Sequence, residues 1–127
     1  MPTKNVTEKT ILVAEDDDAN YKFLEIIISL AGYKVLRAEN GAVAVEICRN
    51  SNISLVFMDI RMPEMDGLEA TSRIRKFNTT LPVFAQTAYT MAADENTALN
   101  AGCTGYITKP ISRKTVLSIL NEYLSFD

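Results

Sequence analysis

Short apolar runs alternate along this chain with segments whose apolar residues recur at helical spacing. The runs predict five buried strands of a parallel sheet, at 11–14, 35–36, 55–58, 83–85 and 105–107. Helices are predicted between and after them, over a stripe formed by Phe23, Ile26, Ile27 and Leu30, and over 42–49, 66–76, 91–100 and the segment after Ser112. Strand and helix thus alternate five times, which predicts an α/β fold with helices on both faces of the sheet.

Polar residues and glycines mark the ends of these helices. Asp17 or Asp18, Asn40, Asp66 and Ser112 are the expected N-caps, and Glu69 completes a capping box with Asp66. Gly32 and Gly102 follow the first and fourth helices as stop signals. The apolar face of the last helix is predicted to be Val116, Leu117, Leu120, Tyr123 and Leu124.

Length and composition fit one domain. The chain has 127 residues, of which 47% are hydrophobic, so we expect a domain over 10–127 after a flexible N-terminal segment, 1–9. The net charge of −3 predicts no strong attraction to nucleic acid or to an anionic membrane. The sequence has no signal peptide pattern and no apolar run near ~18–20 residues, so the cytoplasm is the expected compartment. Cys48 and Cys103 are expected to be buried reduced thiols.

The chain contains no histidine, which limits its chemistry. Nucleophilic Ser–His and Cys–His pairs, histidine metal ligands and a phosphohistidine on this chain are excluded. Carboxylates, hydroxyls and lysine remain.

Polar side chains follow four of the five apolar runs. Glu15 and Asp16 follow the first, Asp59 the third, Thr87 the fourth and Lys109 the fifth. Each alone has an ordinary reading as a helix cap, a strand terminus or a solvated charge. Because ligands of open parallel sheets bind outside the carboxyl ends of the strands, their joint occurrence predicts a site at that edge.

The chemistry of the four strand ends is consistent with phosphoryl transfer. Three carboxylates offer the oxygen ligands that Mg²⁺ prefers. A carboxylate beside a metal can act as a nucleophile toward phosphorus, and Asp59 is the candidate. Lys109 would neutralise phosphoryl charge, and the Thr87 hydroxyl would donate a hydrogen bond to a phosphoryl oxygen.

Four sequence segments, ILVAEDD, VFMDIRMPEMDG, FAQTA and GYITKP, resemble the receiver domain of two-component response regulators. They span the whole chain at the spacing usual for that family, and VFMDIRMPEMDG is highly specific. The resemblance implies a flavodoxin-like fold, a doubly wound parallel sheet of five βα units with strand order 2-1-3-4-5.

The resemblance also assigns roles to individual residues. It implies that Asp59 is the phosphoacceptor, with Thr87 and Lys109 assisting. It implies that Mg²⁺ is the cofactor, held by Glu15 through a water and directly by Asp16, Asp59 and the backbone carbonyl of Arg61. Thr87 and Tyr106 would be the switch pair, and the bond from Lys109 to Pro110 would be cis. Arg61 and Tyr89 would flank the path of the hydrolytic water; since neither is a carboxylate or an amide, slow self-hydrolysis is expected.

Two departures from the family pattern affect the assignment. The acidic pair is Glu-Asp rather than Asp-Asp, and four consecutive acids leave a one-residue register question, which the end of the apolar run at Ala14 resolves in favour of Glu15 and Asp16. Gln86 stands where the family commonly has a buried aliphatic residue, so we expect that strand end to be partly exposed.

The expected function is phosphorelay signal transduction by a switch module rather than an enzyme. The phosphoryl donor would be a phosphohistidine on a histidine kinase or a histidine phosphotransfer protein. With no segment after Asp127 for DNA binding, output is expected through protein contact, with homodimer formation on phosphorylation as one route. The chain would be either a stand-alone regulator or the receiver of a hybrid histidine kinase.

Two other classes share parts of the pattern. A flavin-binding electron carrier has this topology, but four acids stand where a flavin phosphate would need a cradle of glycines and hydroxyls. An Mg²⁺-dependent phosphohydrolase with an aspartyl nucleophile would need a second acid as general acid–base and usually has a cap domain.

Overall fold

The computed structural model describes residues 9–88 and 92–124, and the side chains of residues 92–95 lie outside that description. Strands and helices alternate through these residues in the predicted order. The strands are β1 (Thr10–Ala14), β2 (Lys34–Ala38), β3 (Leu55–Asp59), β4 (Val83–Thr87) and β5 (Gly105–Thr108). The helices are α1 (Asp18–Leu30), α2 (Gly41–Asn50), α3 (Gly67–Ile74), α4 (Ala92–Asn100) and α5 (Arg113–Leu124).

The five strands form one parallel sheet in the order β2-β1-β3-β4-β5. This is the predicted flavodoxin-like topology, and it is confirmed. The chain reverses its direction of winding between β1 and β3, so their carboxyl ends open a crevice where a ligand can bind. The site residues predicted from the strand ends all lie along this edge.

Two hydrophobic clusters cover the two faces of the sheet. One face packs against α1 and α5 through residues such as Leu24, Phe57 and Leu120. The other packs against α2, α3 and α4 through residues such as Leu12 and Ile74. Because both faces are covered, β1, β3 and β4 are almost wholly buried and read as continuous apolar runs.

The predicted apolar stripe of α1 is largely wrong. Leu24, Ile27 and Ile28 are the buried positions of this helix, whereas Phe23, Ile26 and Leu30 are exposed. Both sets fit helical spacing, because six of the eight residues over 23–30 are apolar. Packing against α5 and the sheet selects the first set and leaves an apolar surface, formed by Phe23, Ile26 and Leu30, facing outward.

The prediction for α5 is closer to the structure. Val116, Leu120 and Leu124 are buried as expected, and Leu117 packs against the cluster while half-buried. Ile119 is buried although the sequence reading omitted it. Tyr123 is partly exposed and meets the ring of Phe84 edge-on, with 5.1 Å between ring centroids.

The predicted N-caps are confirmed, but the Glu69 half of the capping box is not: among the described residues the Glu69 carboxylate accepts hydrogen bonds from Arg73. Asp17, rather than Asp18, caps α1 by accepting from the amide of Asn20, and Asn40 and Asp66 cap α2 and α3 in the same way. Ser112 accepts from the amide of Thr115 at 3.1 Å. Gly32 and Gly102 have positive φ after α1 and α4, as a helix stop requires.

Several sequence predictions extend beyond the described residues. Residues 1–8 and 125–127 lie outside them, so the boundaries at 1–9 and 10–127 remain predictions, as does the start of the fourth helix at Met91. None of the described helices is both long enough and apolar enough to cross a bilayer.

Candidate functional site

The carboxyl ends of β1, β3, β4 and β5 surround a cleft of about 230 Å³. Asp59 and Thr87 are the last residues of their strands, and Glu15, Asp16 and Lys109 follow theirs. The cleft is lined by Glu15, Asp16, Asp17, Asn20, Asp59, Ile60, Arg61, Gln86, Thr87, Ala88 and Lys109. The structure therefore brings together all five residues that the strand ends predicted.

Three of these residues form a compact acidic cluster. One carboxylate oxygen from each of Glu15, Asp16 and Asp59 lies within 4.8 Å of the others. Glu15 and Asp59 are only 1% and 5% exposed, whereas Asp16 faces solvent. Three carboxylates at this spacing are hard oxygen donors of the kind that Mg²⁺ takes, with an exposed side open for water and phosphoryl ligands.

Burial makes the charge of Glu15 expensive. Desolvation, a hydrogen bond with Asp59 and repulsion from the Asp59 charge raise the pKa of Glu15 from 4.5 to about 7. The amide of Asp17 donates to Oε2 at 3.2 Å and opposes this rise, as does Lys109. Oε1 has no hydrogen-bond partner within the described residues. A cation between these carboxylates would relieve both costs.

Lys109 supplies a positive charge to the cluster. Its Nζ lies 3.3 Å from Asp59 Oδ2 and 3.7 Å from Glu15 Oε1. The backbone amide of Lys109 donates to the carbonyl of Thr87 at 2.7 Å, which ties the segment after β5 to the end of β4. The Lys109–Pro110 peptide bond is cis, as expected.

The remaining predicted residues differ in their distance from the acidic cluster. Thr87 is buried and lines the cleft, and Arg61, which is exposed, donates from its backbone amide to Asp59 Oδ1 at 3.3 Å. Tyr106 lies on β5 outside the cleft. Its side chain packs against the hydrophobic cluster on the α2, α3 and α4 side of the sheet. Tyr89 lies outside the described residues.

Arg37 fixes the loop that carries the acidic pair, and the sequence reading missed it. Its Nε donates to the backbone carbonyl of Glu15 at 3.1 Å, and its Nη2 lies 2.9 Å from Asp18 Oδ1. The guanidinium also lies over the ring of Tyr21, 4.7 Å from the centroid. Asp18 is therefore paired with Arg37, and it is not one of the three carboxylates of the acidic cluster. Arg37 pairs with Val13 across β1 and β2, and Val13 stands two residues before Glu15. Aligning the two predicted strands could therefore have shown that Arg37 lies near the acidic residues.

The expectation that the strand end at Gln86 is partly exposed is wrong. Gln86 is 0% exposed, and neither atom of its carboxamide has a hydrogen-bond partner among the described residues. It pairs with Asp59 in the parallel register, and Phe57 and Phe84, two residues earlier on the two strands, belong to the cluster with α1 and α5, so both side chains are on that buried face of the sheet. On a strand in the middle of the sheet, the polar character of Gln86 therefore did not predict that its side chain is exposed.

Gly67 allows α3 to begin against the backbone of Asp59. A Cβ at position 67 would lie 2.1 Å from the carbonyl oxygen of Asp59 and 2.8 Å from Met58 Cγ. The amide of Gly67 also donates to the carbonyl of Ile60 at 2.9 Å. The start of α3 is thus packed directly on the end of β3, and only glycine fits there.

Comparisons with known proteins agree with this architecture. Residues 11–121 match the response regulator receiver domain family. The chain is 35% identical over 118 residues to the polar-differentiation response regulator DivK of Brucella anthropi, covering 91% of this chain and 96% of that protein.

Two solved structures are similar in fold and in sequence. One is the receiver domain of sensor histidine kinase PA1611 from Pseudomonas aeruginosa PAO1 with a magnesium ion in the active site cleft (TM-score 0.87, 30% identity, covering 94% of this chain and 100% of that one). The other is the co-crystal structure of the Saccharomyces cerevisiae histidine phosphotransfer protein Ypd1 with the receiver domain of Ssk1 (TM-score 0.86, 27% identity, covering 94% and 91%). With the family match and the fold, they lead to one conclusion: the chain belongs to the response regulator receiver domains of two-component signalling.

Proposed function

We propose that this domain accepts a phosphoryl group on Asp59 in an Mg²⁺-dependent reaction and changes a protein-binding surface in response. The observation that carries the proposal is the placement of three carboxylates within 4.8 Å of one another with the Lys109 ammonium 3.3 Å from Asp59. This is the combination of nucleophile, metal ligands and cation that phosphoryl transfer requires.

The donor set fits Mg²⁺. Glu15, Asp16 and Asp59 would hold the ion, with the backbone carbonyl of Arg61 as a further ligand. Oε1 of Glu15 has no hydrogen-bond partner among the described residues and only a long ion pair with Lys109, at 3.7 Å, and the pKa of this carboxyl is raised; both support a cation at this site. When bound, the ion would neutralise charge on the phosphoryl oxygens and on the carboxylates. A similar domain, that of PA1611, carries magnesium in its cleft.

Asp59 is the nucleophile in the proposed step. One of its carboxylate oxygens attacks phosphorus as the bond from phosphorus to the imidazole nitrogen of the donor breaks. The electron pair of that bond returns to the ring nitrogen, and the imidazole, protonated on its other nitrogen, leaves as a neutral group. Lys109, already 3.3 Å from Asp59, would pair with the incoming phosphoryl oxygens. The donor that we propose is a phosphohistidine on a kinase or a phosphotransfer protein, because this sequence has no histidine that could carry the phosphoryl group itself.

The apolar surface of Phe23, Ile26 and Leu30 offers such a donor a place to dock. All three side chains are exposed on α1, whose first turn carries Asn20 at the wall of the cleft. Exposed apolar side chains next to a polar site are typical of protein interaction surfaces. The Ssk1 receiver domain binds the phosphotransfer protein Ypd1, which supports a donor of this class here.

Thr87 and Tyr106 would transmit the signal. The phosphoryl group would draw the Thr87 hydroxyl inward, and Tyr106 on the neighbouring strand would follow. This would remodel the surface around α4 and α5, where an output protein or a second copy of the domain binds. The phosphoryl group can shift this equilibrium only through contacts that differ between the two states.

A labelling experiment tests the proposed chemistry. Acetyl phosphate with Mg²⁺ should add one phosphoryl group, measured by intact mass, and a chelator should prevent the addition. Asp59→Asn should not be labelled. Asp18→Asn, a matched change at an exposed acid outside the cluster, should be labelled like the parent. Labelling of Asp59→Asn, or labelling that persists with the chelator, would refute the assignment.

A further inference from the structure

Two consecutive residues of β2 hold the backbone of Glu15. Its amide donates to the carbonyl of Ala38 at 2.9 Å, and its carbonyl accepts from Nε of Arg37 at 3.1 Å. The first contact continues the ladder between β1 and β2 by one hydrogen bond past their last paired residues, Ala14 and Ala38. The second comes from a side chain, so β2 fixes both of the peptide groups that flank Glu15.

The Arg37 side chain stands in for a backbone donor. If the parallel ladder continued, the carbonyl of Glu15 would accept from the amide of Asn40. The chain turns there into α2, of which Asn40 is the N-cap, and the donor to this carbonyl is Nε of Arg37 instead. Glu15 is only 1% exposed, so loss of that donor would leave a buried carbonyl unpaired, at a cost in free energy.

The other contacts of Arg37 hold its guanidinium in position for this hydrogen bond. The group lies over the Tyr21 ring, 4.7 Å from the centroid, and Nη2 lies 2.9 Å from Asp18 Oδ1. The Asp18 side chain is 93% exposed, so solvent and salt screen that ion pair and it contributes little. The Arg37 side chain is only 21% exposed. Its contact with Glu15 is therefore the one that is shielded from water.

The peptide group that Arg37 fixes joins two of the three clustered carboxylates. It lies between Glu15 and Asp16, so rotation of this group would move both side chains relative to Asp59 and widen the 4.8 Å spacing of the cluster. Groups that orient metal ligands typically change metal affinity tenfold or more when they are removed. The charge of Arg37 acts in the opposite direction, because a cation beside the cluster repels Mg²⁺.

We propose that Arg37 is a positioning residue for Mg²⁺. Its Nε–H holds the peptide group between Glu15 and Asp16 so that both carboxylates face Asp59, and Arg37 itself does not touch the ion. This inference rests on the proposed function, because it takes the three carboxylates as the metal site. It adds a residue of β2 outside the cleft lining as a determinant of metal affinity.

Two neutral variants of equal length separate the hydrogen bond from the charge. Arg37→Gln keeps a nitrogen donor at the same number of bonds from the backbone as Nε, whereas Arg37→Met has a methyl group there. Both variants lose the positive charge, the pair with Asp18 and the cation over Tyr21. Titration with Mg²⁺, followed by the backbone amide shift of Asp16 in NMR, gives each dissociation constant. A stabilising osmolyte in every sample keeps a weakened variant folded, which a urea melt verifies.

Arg37→Met should bind Mg²⁺ roughly tenfold more weakly than the parent, although it has lost a repelling cation. Arg37→Gln should bind at least as tightly as the parent. Lys34→Met, which removes an exposed cation at the other end of β2, should bind like the parent. With chelator, the Asp17 amide, which donates to Glu15 Oε2 at 3.2 Å, should exchange its hydrogen faster in Arg37→Met than in Arg37→Gln.

The outcomes distinguish this inference from the function on which it rests. Equal Mg²⁺ affinities of Arg37→Met and Arg37→Gln, or tighter binding by Arg37→Met than by the parent, would overturn the positioning role while leaving the metal site intact. Absence of Mg²⁺ binding by the parent would overturn the proposed function, and the inference with it.

Discussion

Lys109 and Asp59 form an ion pair, with 3.3 Å between Nζ and Oδ2, although β4 separates β3, which ends at Asp59, from β5, which Lys109 follows. The pair partly offsets a crowded set of carboxylates. Glu15 is paired with the same ammonium only at 3.7 Å, and its pKa remains raised. One lysine therefore does not neutralise the cluster, and the metal-free domain is destabilised by its own site.

Removing one charge from the cluster should stabilise the metal-free protein. Two carboxylates whose oxygens lie within 4.8 Å of each other, as those of the cluster do, repel by roughly 3–4 kcal/mol at an effective dielectric constant of about 20. Asp59→Asn removes this repulsion, but it also removes the ion pair with Lys109. We expect Asp59→Asn to be more stable than the parent by on the order of 1 kcal/mol, in urea melts with chelator at pH 8.

Mg²⁺ should reverse that order. The ion should stabilise the parent by RT ln(1 + [Mg²⁺]/Kd). It should stabilise Asp59→Asn less, because that variant lacks one of the charged ligands. Asp18→Asn should gain as much from Mg²⁺ as the parent. Equal gains for parent and Asp59→Asn would mean that these carboxylates do not form a metal site.

The pH dependence of stability should carry the signature of Glu15. Its pKa is about 7 in the folded protein and 4.5 in the unfolded chain, so the native state holds the proton more tightly. Stability from this group is fully present below pH 4.5 and is lost as the pH rises through 7. Because a tenfold difference in proton affinity between the two states corresponds to about 1.4 kcal/mol, the loss is on the order of 3 kcal/mol.

Glu15→Gln isolates this effect, because it removes the titration while keeping the shape. With chelator, the free energy of unfolding of the variant relative to the parent should increase between pH 4.5 and pH 8. A constant difference between the two proteins over this range would show that Glu15 titrates normally.

Thr87→Ala should separate phosphorylation from the response to it. The variant keeps the carboxylates and Lys109, so it should still be labelled by acetyl phosphate. Without the hydroxyl, the shifts that beryllofluoride and Mg²⁺ produce at Tyr106 should be smaller than in the parent. Thr80→Ala, at an exposed threonine before β4, should respond like the parent. A full response at Tyr106 in Thr87→Ala would argue against coupling between the two residues.

Self-hydrolysis of the aspartyl phosphate should be slow. Arg61 lines the cleft and is neither a carboxylate nor an amide, so it has no side-chain acceptor that would direct a water toward phosphorus. Replacing it in the double variant Arg61→Asn, Tyr89→Glu should shorten the half-life severalfold, as followed by loss of the phosphoryl mass after acetyl phosphate is removed. A half-life equal to or longer than that of the parent would contradict the role of these positions.

The two cysteines should be unreactive in the folded protein. Burial raises the pKa of Cys48 to about 11 and also raises that of Cys103, and both are free thiols. A thiol-selective disulfide reagent should therefore react at least ~100-fold more slowly than with the unfolded chain. Ser51→Cys, at the exposed position after α2, supplies a reactive control. Fast modification of the folded parent would mean that the residues covering these thiols readily open to solvent.

The sequence was most informative where one residue has one local role. The caps Asn40 and Asp66 accept hydrogen bonds from amides three residues away, and such contacts depend on neighbours in the chain. Asp59 and Lys109 were found because parallel topology forces strand ends to one edge. In both cases short-range chemistry or a single topological rule was enough.

Other features depend on tertiary packing that spacing cannot resolve. On α1, Phe23 and Leu24 begin two apolar sets with the same helical spacing, and only contact with α5 and the sheet decides which is buried. Gln86 was expected near solvent because it is polar, but it lies buried on a strand that has a neighbour on each side. Arg37 reaches the backbone of Glu15, 22 residues away, through the pairing of β1 with β2.

The close packing of Gly67 on Asp59 has a genetic consequence. Every amino acid other than glycine brings a Cβ, and here that atom would lie 2.1 Å from the carbonyl oxygen of Asp59. Any missense change in the codon for residue 67 must therefore displace the backbone that aims the Asp59 carboxylate. A selection for loss of signalling would recover alleles at this codon, and their products would still carry every acidic residue and the lysine of the site.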